Sequence, residues 1–164
     1  MFALDAKWRS SEMSTARREV CQQETTADRA MNRPEDVVGR FFEEVGHYVL
    51  RGALPLRFVW AAYSYEVDHY WPMLKGPILR LRAETGDKSF FICFEKLQKR
   101  CRRYGRLRNP PWFRPLPVDP KRFREEETQR IDYYSSVRAA SPTIILPSSP
   151  RGSTNVSAQP TGKA

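Results

Sequence analysis

The sequence holds no nucleophile–base constellation and no cofactor fingerprint, and Glu66 and His69, three apart as in bundle metal sites, lack the second such motif. Its three cysteines, Cys21, Cys93 and Cys101, are odd in number and lack the close pairing of zinc or redox motifs. Cys93 and Cys101 fall two turns apart in one expected helix, too far to bridge, so a reducing compartment is the simplest reading. The two histidines, His47 and His69, form no HExxH pair. Nothing approaches the about 18 consecutive apolar residues that a membrane span needs. The first 31 residues carry charge throughout and contain no apolar core of a signal peptide. These absences lead us to expect a soluble, cytoplasmic protein without a membrane span, a metal site or a cofactor.

At 164 residues the chain is about one domain long, with a net charge of +9. The charge is concentrated. Between Lys88 and Arg108 stand eight basic residues against Glu95 alone. The large apolar residues are concentrated too, mostly between Val37 and Tyr104, while the last third is rich in Pro, Ser, Thr and Arg. A core of roughly 70 residues is marginal on surface-to-volume grounds, so a further helix or a partner is expected to help close it.

Apolar and aromatic residues recur every three or four positions through Leu56, Trp60, Tyr63, Val67, Trp71, Leu74, Ile78 and Leu81. That period belongs to one face of a helix, since a strand would alternate. Pro72 and Pro77 lie within the series and predict a bend near Tyr70 to Gly76 without a reversal. Before this spine, Ser10 or Ser11 can cap a helix to about Gln23, with Met13, Ala16, Val20 and Cys21 as its stripe. Pro34, Glu35 and Asp36 open another, whose core face reads Val38, Phe41 or Phe42, Val45, and Tyr48 or Val49. Gly39 and Gly46 inside that helix each cost about 1 kcal/mol against alanine and point to a tight helix crossing. The short turn at Gly52 predicts an antiparallel hairpin with the spine. After Gly86 a basic helix places Phe90, Phe94, Leu97, Cys101 and Tyr104 on one face.

The expected fold class is therefore all-α: a small helical bundle with a long proline-kinked central helix and a largely disordered C-terminal tail. Residues 1–11 read as a flexible arm and 12–105 as the helical domain. Residues 106–164 read as a Pro/Ser/Arg-rich tail, with a helix at 120–134 that forms when docked and disorder from Ala139 onward.

Four short motifs occur in order: Phe41–Phe42–Glu43–Glu44–Val45–Gly46, Val49–Leu50–Arg51–Gly52–Ala53–Leu54, Tyr70–Trp71–Pro72 and Phe94–Glu95–Lys96–Leu97. Together they resemble a family of small bacterial helical proteins classed as a domain of unknown function, over about residues 12–104. The resemblance implies an all-helical fold and a bacterial source, and supplies no activity and no site residues.

Two candidate surfaces remain. Lys96, Lys99, Arg100, Arg102, Arg103, Arg106 and Arg108, with Tyr104, Trp112 and Phe113 nearby, are candidates for gripping a nucleic-acid or other polyanionic backbone. The plainer reading is a solvated helix face whose cations suit the negative end of the dipole. Trp60, Tyr63, Trp71 and Phe91 are candidates for binding a protein partner or a second copy, because the aromatics exceed what one thin helical layer buries. Glu66, Asp68, His69 and His47 form the richest polar cluster, read more readily as the wet face of a helix than as a metal or acid–base site. The functional expectation is a non-enzymatic helical interaction or scaffold module, with non-specific polyanion binding as the alternative.

Overall fold

The computed structural model describes residues 2–23, 30–108 and 119–140. These form six helices, with no strand among the described residues: α1 (Phe2–Trp8), α2 (Ser11–Gln22), α3 (Arg33–Leu50), α4 (Leu56–Thr85), α5 (Ile92–Arg108) and α6 (Pro120–Ala140). The all-α bundle is as expected. The disorder expected from Ala139 onward falls almost wholly outside the described residues.

Most helix boundaries follow from local chemistry. Ser10 caps α2 by accepting from the Met13 amide at 3.2 Å. Asn32 and Glu35 close a reciprocal capping box at the start of α3, on top of the proline signal. Gly52 and Gly86 take φ of +74° and +70° just beyond α3 and at the end of α4, a conformation that only glycine adopts freely. α4 runs unbroken through both Pro72 and Pro77. Tyr63, Val67, Trp71, Leu74 and Ile78 of its stripe are buried, and Leu56, Trp60 and Leu81 partly so.

The start of α5 is set from elsewhere in the chain. Asp87 does not cap it; its carboxylate accepts the Ser89 amide in a tight turn at 2.7 Å. Glu43 of α3 instead accepts from the amides of Cys93 (3.1 Å) and Phe94 (2.8 Å), two of the donors a helix N-terminus leaves unsatisfied. This reach needs α3 and α5 in near contact, and the two internal glycines permit it. A Cβ on Gly46 would lie 2.4 Å from the Cys93 carbonyl oxygen, and one on Gly39 would lie 2.8 Å from the Phe91 ring. The tight crossing predicted from these glycines is present, and it brings α3 closer to α5 than to α4, its neighbour in the chain. α4 and α5 run antiparallel, as Trp60–Tyr104, Asp68–Arg102 and Arg82–Glu95 show in succession.

Two boundaries differ from expectation. The N-terminal arm is not loose. α1 buries Leu4 and drives Trp8 against Phe41 and Phe42, with ring centroids at 4.7 and 5.3 Å. Seven residues are too few to display a period, so the sequence concealed this helix. α6 is likewise part of the bundle and runs on to Ala140. It packs against α2 and inserts Phe123 among Tyr65, His69 and Tyr70 of α4. The helical domain therefore extends on both sides of the 12–105 limits.

Candidate functional site

α5 turns Phe94, Leu97, Gln98 and Cys101 inward. At 100° per residue that leaves the opposite half of its surface to solvent, where Lys96, Lys99, Arg100, Arg103 and Arg106 lie, with Arg102 at its edge; Arg108, seven residues after Cys101, continues the inward side at the end of the helix. Each is exposed. They are not equivalent, however. Lys99 is held by Glu95 at 2.6 Å and Arg102 by Asp68 of α4 at 3.0 Å. Lys96, Arg100, Arg103 and Arg106 make no hydrogen bond or ion pair among the described residues. Arg108 lies over the Tyr104 ring, its guanidinium carbon 5.4 Å from the centroid, and donates from Nε to the Tyr104 hydroxyl at 3.1 Å. Behind Tyr104 stands the half-buried Trp60, at 5.5 Å. Gly105 leaves room for that indole, since a Cβ there would sit 3.2 Å from Trp60 Nε1. Trp112 and Phe113 lie outside the described residues.

The aromatic candidates fare differently. Tyr63, Trp71 and Phe91 are buried in this chain's own core, at 4%, 9% and 6% exposure, and Trp60 is half-buried. Tyr63 packs on Trp8 and Phe41, Trp71 on Phe94, and Phe91 fills the space over Gly39. They form no exposed patch for a partner. The surplus of aromatic surface is absorbed by α1 and α6, the two helices placed outside the domain on sequence grounds.

The polar cluster on α4 does not converge. Glu66 pairs with Arg130 of α6 at 2.8 Å, and burial raises its carboxyl above the usual range. Asp68 is taken by Arg102, and His47 is exposed on α3. The His69 Nδ1 lies 2.6 Å from the Tyr65 carbonyl while the ring stacks on Phe123 at 4.4 Å. Among the described residues no three His, Cys, Asp or Glu side chains gather as metal ligands would. Burial pushes the Cys21 thiol up to about 11 and the Cys101 thiol up to about 12, the opposite of nucleophile activation.

A buried network was missed. Arg17 of α2 donates to Glu127 Oε1 of α6 from Nε at 2.8 Å and from Nη2 at 2.5 Å. The Tyr70 hydroxyl donates to the same oxygen at 2.9 Å, and Cys21 Sγ lies 3.9 Å beyond it. The Arg17 guanidinium also lies over the Trp8 ring at 4.1 Å. One signal was available: Phe123, Glu127 and Ile131 follow at intervals of four, and Arg17 sits inside the Met13–Val20 stripe. A cation and an anion, each at a core position, were candidates for each other.

A cleft of about 780 Å³ opens beside this network, between α1, α2, α4 and α6. Four arginines stand at or in it, but each has a carboxylate: Arg9 with Asp5, Arg17 with Glu127, Arg18 with Asp132, and Arg130 with Glu66. It offers no net charge to a ligand, whereas the outer face of α5 does. No helix among the described residues is long and apolar enough to cross a membrane. Comparison with protein-family models, curated proteins and solved structures gives no match.

Proposed function

We propose that this chain is a helical interaction module that acts by binding rather than catalysis, and that its partner is a polyanion held on the outer face of α5. One observation carries this reading. Lys96, Arg100, Arg103 and Arg106 are exposed with no carboxylate partner among the described residues, while nearby Lys99 and Arg102 each pair with a carboxylate. Unpaired like charges on one helix face repel each other and leave a potential that an anionic polymer relieves. The buried position of Tyr63, Trp71 and Phe91 withdraws support from the aromatic route to a partner. The free thiols of Cys21, Cys93 and Cys101 suit a reducing cytoplasm.

The test is a salt titration of polyphosphate binding to the full chain. Affinity is expected to fall as a straight line in the logarithm of salt concentration. Combined Lys96→Glu, Arg100→Glu and Arg103→Glu should abolish binding with helicity unchanged, because these side chains are exposed and hold no hydrogen bond or ion pair among the described residues. Equal binding by that variant, or no binding at low salt, would return the face to a solvated surface.

A further inference from the structure

The cations of α5 are interleaved with an aromatic ring. Lys96, Arg100, Tyr104 and Arg108 follow at intervals of four and so form one ridge that winds about 120° round the helix, from its outer side to the side of Cys101. The ridge is about 18 Å long at 1.5 Å per residue. Its first half presents two cations without a carboxylate partner among the described residues. Its second half brings together Trp60, Tyr104 and Arg108: the two rings meet at a 59° tilt, and the Arg108 guanidinium lies over Tyr104 and donates to its hydroxyl. A guanidinium held over a ring in this way is an oriented planar cation, and Arg108 is exposed. Planar cations on aromatic supports take unpaired bases by stacking, which a plain anionic polymer cannot exploit.

The geometry points to single-stranded nucleic acid as the polyanion, its phosphates along Lys96, Arg100 and Arg103 and one base stacked on Arg108. The inference rests on the polyanion reading above. A duplex is disfavoured because its base faces are hidden within its own stack. An anionic lipid surface is disfavoured because Leu107 is the one large exposed aliphatic side chain of α5, too little apolar surface for insertion beside these cations.

The test compares a short oligo(dT), an abasic oligonucleotide of equal length, polyphosphate, and vesicles containing phosphatidylserine, each against the full chain at low salt. Oligo(dT) should bind at least about fivefold more tightly than the abasic strand, the equivalent of one stacked base. Arg108→Lys keeps the charge but removes the plane. It should erase that advantage while leaving abasic and polyphosphate affinities unchanged. Equal affinity for the two strands, or an Arg108→Lys variant that behaves as wild type, would overturn the stacking site and leave the polyanion reading standing. Failure of all four probes to bind would remove both. Vesicles bound in preference to oligo(dT) would overturn the assignment in favour of a lipid surface.

Discussion

Arg17 and Glu127 stand 110 positions apart in the chain and meet as an ion pair with side chains 4% and 0% exposed. Burial alone would lower the Arg17 guanidinium, but Glu127 and Tyr70 together hold it above its ordinary value. Taking both ions out of water is expensive, and their mutual attraction, the Tyr70 hydrogen bond to Glu127 and the contacts of Arg17 with the Trp8 carbonyl and ring offset it. The pair ties the first third of the chain to α6.

Removing one member should therefore cost more than removing both. Arg17→Met strands a buried carboxylate and is expected to destabilise by about 3–5 kcal/mol in urea unfolding. Adding Glu127→Leu should recover at least half of that, the rest being lost with the Tyr70 acceptor, the donor to the Trp8 carbonyl and the Arg130 contact. A double variant as unstable as the single would show that the pair is not the source of the loss.

α6 should behave as core. Phe123 is 1% exposed and rests on three rings of α4. Phe123→Ala is expected to cost about 3–5 kcal/mol, as large aromatic truncations do. Ending the chain after Asp119 should cost at least as much, since it also uncouples Arg17. A Phe123→Ala change within about 1 kcal/mol of wild type would place α6 outside the cooperative unit.

The two glycines of α3 should respond unequally to alanine. At Gly46 the added methyl meets the Cys93 backbone, so α3 and α5 must part and the Glu43 cap is strained. Overpacking of this kind costs about 1–3 kcal/mol, which exceeds the about 1 kcal/mol gained in helix propensity. At Gly39 the obstacle is one side chain, Phe91, whose ring can shift. The denaturation midpoint should therefore fall further for Gly46→Ala than for Gly39→Ala, and the reverse order would contradict the backbone contact.

Stability should decline at alkaline pH. Burial, then the charge of Glu127, raises Tyr70 well above 10.0; burial raises Tyr63 to about 12, Cys21 to about 11 and Cys101 to about 12. In the unfolded chain these groups lose protons near 10.0 for tyrosine and 9.0 for cysteine. Between the two sets of values the native state holds more protons, so unfolding becomes easier as pH rises. The slope is at most about 1.4 kcal/mol per pH unit for each group. Urea midpoints should thus be level from neutrality to pH about 9 and fall above it. Tyrosinate absorbance of Tyr70 should appear only with unfolding. A midpoint flat from neutrality to pH about 11 would contradict the burial of these groups.

Much was legible because it is local. Pro34 at the head of α3, the three-and-four spacing from Tyr63 to Ile78, and Gly86 at the end of α4 each act through neighbours within a turn or two. The outward set of α5 cations was readable for the same reason, since Phe94, Leu97 and Cys101 decide which side of that helix is dry. A period reports which face is buried and says nothing about what buries it. Only the tertiary structure could bring Glu43 to the amides of α5, lay Trp8 over Phe41 and Phe42, and set Phe123 on Tyr70. Contacts of the same kind, Tyr63 on Trp8 and Phe41, Trp71 on Phe94 and Phe91 against Gly39, removed those aromatics from the surface. The Arg17–Glu127 pair was decided in the same way, because a charge tolerates a core position only where its opposite arrives from elsewhere in the fold.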